Sequence, residues 1–145
     1  MAGRPRTLAG WLRHAERLAP RPIVLGLERV AEVWRRLGAP RVAGRVITVA
    51  GTNGKGSTVA MIEAVLRAGG RRTGAYFSPH LARYNERVRI AGEEVGDEAL
   101  CRAFAAVERA RGAVPLTYFE FGTLACFLLF AEAGLEVAVL EVGMG

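Results

Sequence analysis

The most glycine-rich loop of this chain is Val49-Ala50-Gly51-Thr52-Asn53-Gly54-Lys55-Gly56-Ser57-Thr58. It follows the β-branched run Arg45–Ala50, which predicts a buried strand. It precedes apolar residues at helical spacing, which predict a helix up to Gly69-Gly70. Glycines let successive backbone N–H groups turn toward one anion, and a helix start adds partial positive charge. This strand, loop and helix together predict a binding site for nucleotide phosphates.

Lys55 lies in this loop and is the only lysine among the 20 basic residues of the chain. A lysine at this place would reach the β- and γ-phosphates as a movable point charge. The common nucleotide loop G-x-x-x-x-G-K-[ST] would need glycine at Val49 and a hydroxyl residue at Gly56, so only the shorter spacing G-x-x-G-K matches. A dinucleotide site is excluded, because the pattern is G-x-x-G-x-G and the next strand ends at Phe77-Ser78 without an acid.

The rest of the chain alternates between helical and extended patterns. Periodic apolar residues predict helices over 8–18, 27–37, 97–111 and 118–133, the first closed by Pro20 and Pro22. Short apolar or alternating runs predict strands over 73–77, 88–90 and 137–142. Trp11 and Trp34 are expected to be core anchors. Strands alternating with helices indicate an α/β fold with a mostly parallel sheet and helices on both faces.

Composition limits the class of protein. A chain of 145 residues that is 51% hydrophobic and 23% charged can bury the core of one domain. Its longest apolar stretch, Leu124–Ala131, is too short to span a bilayer. The net charge of +6 comes from scattered arginines, which argues against a nucleic-acid site. Cys101 and Cys126 are expected to be reduced core thiols, as in a cytoplasmic protein.

Two acidic residues stand out by position. Glu141 is the only charged residue of the predicted strand 137–142, so burial would require a cationic partner, either Mg²⁺ shared with ATP phosphates or an arginine. Ligands of such sheets bind at the carboxyl ends of the strands, where Gly51 also begins its loop. Thr117-x-x-Glu120 has the spacing of a capping box, so we assign Glu120 to a helix start and not to catalysis.

Five segments, in their order along the chain, resemble the folylpolyglutamate synthase/dihydrofolate synthase family of the Mur ligase superfamily. They are LGLER (Leu25–Arg29), GTNGKGS (Gly51–Ser57), SPHL followed by YNER (Ser78–Arg87), LTYFEF (Leu116–Phe121) and LEVG (Leu140–Gly143). The resemblance implies a Mur-ligase-like ATP-binding domain of which residues 1–145 are the N-terminal part. The C-terminal glutamate-binding domain would then be absent from this chain.

The resemblance also implies roles for particular residues. Lys55 would be catalytic, and ATP would bind to Gly51, Thr52, Asn53, Gly54, Lys55, Gly56, Ser57 and Thr58. Ser78 would replace the usual hydroxyl after the lysine and bind Mg²⁺ together with Glu141. The pteroate part of the substrate would contact Leu27, Ser78, Pro79, His80 and Phe119.

Three of these assignments have alternatives. Core packing is the alternative for Leu27 and Phe119, and an ordinary turn serine is the alternative for Ser78. His80 and Asn85 are expected in a loop that moves over the site, and His14 is expected at the surface.

The implied function is an ATP- and Mg²⁺-dependent ligase of folate biosynthesis. It would join L-glutamate to dihydropteroate, to folate polyglutamates or to both, through an acyl phosphate. We expect a cytoplasmic monomer that binds neither nucleic acid nor membranes. The alternatives are another Mur-type amide ligase and a non-catalytic nucleotide-binding module. Without the remainder of such a ligase, the 145-residue chain is expected not to complete catalysis.

Overall fold

A computed structural model describes residues 3–18 and 26–142 of the chain. The chain divides into two compact units. The helical unit comprises Met1–Pro40 and Asp97–Leu129, and the sheet unit comprises Arg41–Gly96 and Phe130–Gly145. In chain order the elements are α1 (Leu8–Leu18), α2 (Glu28–Arg36), β1 (Arg45–Val49), α3 (Lys55–Ala68), β2 (Thr73–Tyr76), a 3-10 turn (Tyr84–Arg87), β3 (Val88–Ile90), β4 (Glu93–Glu94), α4 (Asp97–Arg111), α5 (Tyr118–Ala133) and β5 (Val137–Glu141).

The core of the helical unit is aromatic. Trp11 of α1 is 2% exposed and stacks on Phe104 of α4 and Phe121 of α5, with ring centroids 6.3 and 6.4 Å away. Trp34 of α2 is only half-buried and meets the ring of Phe127 edge-on. The expectation of a core anchor is therefore confirmed for Trp11 and holds only in part for Trp34. The prolines predicted to close α1 lie outside the described residues.

Helix α2 is rotated relative to the prediction. Val33 is its buried residue, whereas Ala31, which the periodicity placed on the inner face, is exposed. The rotation follows from two arginines, since Arg29 contacts Glu120 and Arg36 donates to the last carbonyl groups of α4. Apolar periodicity alone could not reveal these polar contacts.

The sheet unit contains five strands in the order β1-β5-β2-β3-β4. Strands β1, β5 and β2 are parallel, while β3 pairs antiparallel with β2 and β4 pairs antiparallel with β3. The α/β prediction is confirmed, and the sheet is mixed because the connection 77–87 contains no crossover helix, which a parallel neighbour would need. Ala91 and Gly92, both with positive φ, make the turn between β3 and β4.

Side chains cover both faces of this sheet within the sheet unit. On one face, Val59 of α3 packs with Ala75, Val137 and Val139. On the other face, Phe130 and Leu135 lie against Gly74. Among the described residues, no helix combines the length and the apolar character needed to cross a membrane.

The prediction that β1 is buried is wrong for this chain. Val46 and Ile47 are 49% and 37% exposed. Among the described residues, strand β1 lies at an edge of the sheet and has β5 as its only neighbour. Met61 and Val65 of α3 are exposed as well.

Candidate nucleotide and metal site

The glycine loop connects β1 to α3, as the sequence predicts. Gly51 and Gly54 have φ values of +143° and +74°, which a residue with a side chain rarely adopts. Gly54 is the N-cap of α3, and no side chain of the described residues caps this helix start. The first backbone N–H groups of α3 are therefore oriented into an exposed loop, and Lys55 is the first residue of the helix.

The two hydroxyl residues after the loop differ in their contacts. Thr58 donates from its backbone N–H and from its hydroxyl to the carbonyl oxygen of Gly54, at 3.0 and 2.9 Å. Its hydroxyl proton therefore helps to close the first turn of α3. Ser57 is exposed on the same turn.

Glu141 lies where the ends of three parallel strands meet. It is the last residue of β5, only 9% exposed, and it pairs with Val49 of β1 in the strand register. Its Oε2 accepts a hydrogen bond of 3.1 Å from the backbone N–H of Ser78. A Cβ added to Gly56 would lie 3.9 Å from the same oxygen. The structure thus brings the start of α3, Ser78 and Glu141 together.

Glu141 has no cationic side chain beside it among the described residues. Within residues 3–18 and 26–142, no arginine lies within ion-pair distance of this carboxylate. The same residues contain no group of three His, Cys, Asp or Glu side chains that could enclose a metal. One carboxylate and one hydroxyl fit Mg²⁺, which usually keeps several waters and phosphate oxygens among its ligands.

The segment after Ser78 is held by its own polar contacts. The Ser78–Pro79 peptide bond is cis. His80 accepts a 2.8 Å hydrogen bond at Nδ1 from Nε of Arg87, and its ring meets Tyr84 edge-on. Burial lowers the pKa of His80 below its ordinary value, and the Arg87 guanidinium lowers it further. The neutral imidazole is therefore the favoured form of His80. Its hydrogen-bond partner, Arg87, could not be identified from the sequence.

Glu86 fixes the rest of this loop. Its carboxylate accepts hydrogen bonds of 2.8, 3.0 and 2.9 Å from the backbone N–H groups of Leu81, Ala82 and Arg83. These donors hold the pKa of Glu86 below its usual range. Asn85 is buried and donates to the carbonyl oxygen of Val95 at 2.8 Å. Asn85 therefore anchors the end of the loop, and movement of the loop over the site stays a prediction.

The remaining two candidates, Leu27 and Phe119, belong to the helical unit. Leu27 precedes α2 and is 79% exposed, so the alternative of core packing is wrong for it. Phe119 lies in the first turn of α5 and is 41% exposed, so it is not enclosed in the core either. Leu25, Gly143, Met144 and Gly145 lie outside the described residues.

The capping box at the start of α5 is confirmed. The backbone N–H of Thr117 donates to Oε1 of Glu120 at 2.9 Å, and the N–H of Glu120 donates to Oγ1 of Thr117 at 3.1 Å. The same carboxylate also binds both terminal nitrogens of Arg29, at 2.7 and 2.9 Å. The sequence marked Arg29 only as part of the LGLER segment.

His14 also differs from its prediction. It is partly buried, forms an ion pair with Glu108, and meets the rings of Trp11 and Phe121 edge-on. The periodicity of α1 could not show this partner, because Glu108 lies 94 residues away in the sequence.

Comparisons with known proteins agree with the resemblance of the motifs. No protein-family model matches the chain. A curated dihydrofolate synthase/folylpolyglutamate synthase of Escherichia coli is 52% identical over 138 residues, which are 95% of this chain and 33% of that protein. The structure of E. coli FolC in complex with DHPP and ADP is 50% identical and superposes with a TM-score of 0.93, covering 100% of this chain and 35% of that one.

A Yersinia pestis relative gives the same result. The bifunctional folylpolyglutamate synthase/dihydrofolate synthase complexed with AMPPNP and Mn ion is 50% identical, with a TM-score of 0.94 over 100% of this chain and 35% of its own. The chain thus spans about a third of the length of the relatives that it matches. Over the third of their length that it covers, the chain is similar in sequence and in fold to the dihydrofolate synthase/folylpolyglutamate synthases, with half of its residues identical.

Proposed function

We propose that the protein containing this chain is an ATP-dependent ligase that joins L-glutamate to dihydropteroate, to folate polyglutamates or to both. One observation carries the proposal: the glycine loop, Ser78 and Glu141 converge at the carboxyl ends of three parallel strands. Ligands bind at this edge of open α/β sheets.

Structures of relatives support the nucleotide and the metal that we propose for this site. The E. coli structure contains ADP and DHPP, and the Y. pestis structure contains AMPPNP and Mn. Both match this chain over its whole length. We therefore assign ATP and Mg²⁺ as the nucleotide and metal of this site.

The residues of the loop have complementary roles toward a triphosphate. Gly51, Thr52, Asn53, Gly54, Gly56 and Ser57 would present backbone N–H groups or hydroxyls, and Lys55 would add a mobile positive charge. Thr58, whose N–H and hydroxyl donate to the carbonyl oxygen of Gly54, would support the loop from the first turn of α3. When bound, ATP and Mg²⁺ supply a γ-phosphoryl group for the substrate carboxylate and a cation that neutralises the phosphate oxygens. Lys55 would stabilise the negative charge that develops during transfer, which is an electrostatic role. The substrate carboxylate would take the γ-phosphoryl group and release ADP, and the amine of glutamate would then displace phosphate from the acyl phosphate to form the amide.

Glu141 and Ser78 would hold the metal. The carboxylate of Glu141 is nearly buried and accepts only one described hydrogen bond, from Ser78, so a cation would compensate its loss of hydration. That hydrogen bond holds the backbone of Ser78 beside Glu141, and the Ser78 hydroxyl would be the second metal ligand. This arrangement compensates for Gly56, which has no hydroxyl to offer.

Contacts to the pteroate part of the substrate are proposed for each unit by itself: Leu27 and Phe119 in the helical unit, and Ser78, Pro79 and His80 in the sheet unit. Exposed apolar side chains such as Leu27 and Phe119 suit a flat heteroaromatic ring. His80, neutral and held by Arg87, would present its other ring nitrogen to a polar group of the substrate.

The organisation of the whole protein is also part of the proposal. Residues 1–145 would form the N-terminal part of a Mur-ligase-like ATP-binding domain, and a glutamate-binding domain would lie elsewhere in the longer protein. We expect that protein to be a cytoplasmic monomer. The 145-residue chain alone should not form the amide product.

The test uses the complete reading frame that contains this chain. The purified protein is incubated with Mg-ATP, L-glutamate and either dihydropteroate or tetrahydrofolate, and amide product and phosphate are quantified. Lys55→Ala should lower the rate by at least about a hundredfold, because it removes charge stabilisation of the transferred group. Met61→Ala is the matched control, since Met61 is an exposed residue on the same helix.

The outcomes separate the alternatives. Product from dihydropteroate alone indicates a dihydrofolate synthase, and product from both substrates indicates a bifunctional enzyme. Absence of product from either, with nucleotide binding intact, would refute the proposal and favour another Mur-type ligase. Equal rates for Lys55→Ala and Met61→Ala would refute the role given to Lys55.

A further inference from the structure

A basic concavity lies in the helical unit, and the proposed ligase reaction does not use its residues. A concavity of about 400 Å³ is lined by Arg4, Arg13, His14, Arg17, Glu108 and three small residues, Gly3, Pro5 and Gly10. Gly10 brings the preceding segment close to α1, because a Cβ there would lie 3.2 Å from both Pro5 Cβ and Thr7 Oγ1. This close approach places Arg4 beside the arginines of the helix.

The charges of this concavity are not balanced. Among the described residues, Arg4, Arg13 and Arg17 have no carboxylate within ion-pair distance. Glu108 is the only acid in the lining, and it already pairs with His14 and with Arg111. Three arginines therefore line the concavity together with a single carboxylate, which is already bound to other side chains.

Two of these arginines lie close together on α1. Arg13 and Arg17 are four residues apart and lie on the same side of the helix, an arrangement in which like charges repel. Three guanidinium groups around a hollow suit an oxyanion, since each can donate two parallel hydrogen bonds to a phosphate or carboxylate. A bound anion would remove the repulsion and satisfy these donors.

We propose that this concavity binds a multiply charged oxyanion through Arg4, Arg13 and Arg17. The shared chemistry is a row of phosphate or carboxylate groups. Two sources could provide it: a free polyphosphate, or a γ-linked chain of glutamates. The second source follows from the proposed function, whereas the anion site itself does not depend on it.

The experiment measures binding to the complete protein by isothermal titration calorimetry. Inorganic tripolyphosphate and a tetra-γ-glutamate peptide are titrated separately into the Lys55→Ala variant, so that the phosphate loop contributes little. Arg13→Gln and Arg17→Gln should each weaken binding at least about tenfold, which corresponds to one charge-assisted hydrogen bond. Arg6→Gln is the matched control, because Arg6 is exposed in the same segment but does not line the concavity.

Each outcome decides the proposal. Binding of tripolyphosphate or of the peptide that weakens in Arg13→Gln, is partly restored in Arg13→Lys, and is unchanged in Arg6→Gln would support the site and identify its source. Equal weakening by Arg6→Gln and Arg13→Gln would mean diffuse surface charge and would overturn it. Absence of binding of both ligands at about 1 mM would overturn it as well. Neither result depends on ligase activity, so the proposed function is tested separately.

Discussion

Replacing Gly74 with alanine should destabilise the sheet unit, because the structure has no room for a Cβ at this position. An ideal Cβ on Gly74 would lie 2.5 Å from Cδ1 of Leu135, and 2.7 and 2.9 Å from Cε1 and Cδ1 of Phe130. Strand β2 pairs with β5 on one side and β3 on the other, so its backbone cannot shift without disturbing both pairings.

The magnitude follows from two opposing effects. Alanine stabilises a strand interior by roughly 0.5–1 kcal/mol relative to glycine, because glycine loses more conformational entropy on folding. Forcing a methyl group into a packed core usually costs about 1–3 kcal/mol. The terminal methyl of Leu135 can rotate away, but the ring of Phe130 is completely buried and cannot move without displacing its neighbours. We therefore expect a net loss of about 1–2 kcal/mol.

Urea unfolding of the complete protein would measure the effect. Gly69→Ala is the matched control in the same unit, because a Cβ there meets only carbonyl oxygens at 3.5 and 3.6 Å and φ is −80°. It should leave the unfolding midpoint almost unchanged. In a Leu135→Ala background, the penalty of Gly74→Ala should shrink, because the cavity accepts the new methyl group. A Gly74→Ala variant as stable as the parent, or the same penalty in both backgrounds, would refute the reasoning.

Three further substitutions or conditions probe local contacts. Glu120 and Arg29 form a partly buried bidentate pair. A double-mutant cycle with Gln at both positions should therefore give a coupling of about 1 kcal/mol in the free energy of unfolding. Additive effects of the two substitutions would contradict this. Gly54→Ala should cost about 1–2 kcal/mol, because φ is +74° there; an unchanged unfolding midpoint would refute the strain. The lowered pKa of Glu86 means that its loop contacts persist above the usual carboxyl pKa of 4.5 and are lost as pH falls through the lowered value. When the pH is lowered through that value, amide exchange at Leu81 should accelerate relative to exchange at Val88 of β3. Equal changes at the two amides would contradict the assignment.

The sequence predicted those elements whose ends are marked by residues nearby in the chain. Helix α5 begins and ends where the sequence places it, since the capping box of Thr117 and Glu120 marks its first turn. The glycine loop was equally visible, because positive φ at Gly51 and Gly54 demands the residue type that stands there. Features of this kind depend on neighbours within a few residues, so one sequence is enough to reveal them.

Features that depend on distant partners could not be predicted. Arg29 and Glu120 are 91 residues apart, and no periodicity links them. The same is true of His14 and Glu108, which is why a surface histidine was expected. The exposure of Val46 and Ile47 depends on β1 being an edge strand, and apolar composition alone cannot distinguish an edge strand from a central one.

The candidate metal site shows how the two kinds of information combine. The sequence singled out Glu141 because a charge in an apolar strand needs a partner, and Ser78 was assigned beside it through the family resemblance, but spacing alone could not show which loops lie next to this carboxylate. The strand order answers this, since β5 lies between β1 and β2 with Val49 paired to Glu141 and Tyr76 paired to Leu140. The loops that follow β1 and β2 therefore both begin beside the carboxylate of Glu141. A one-residue slip of β5 would turn Glu141 to the other face of the sheet, so the register of this strand determines whether the candidate metal site can form.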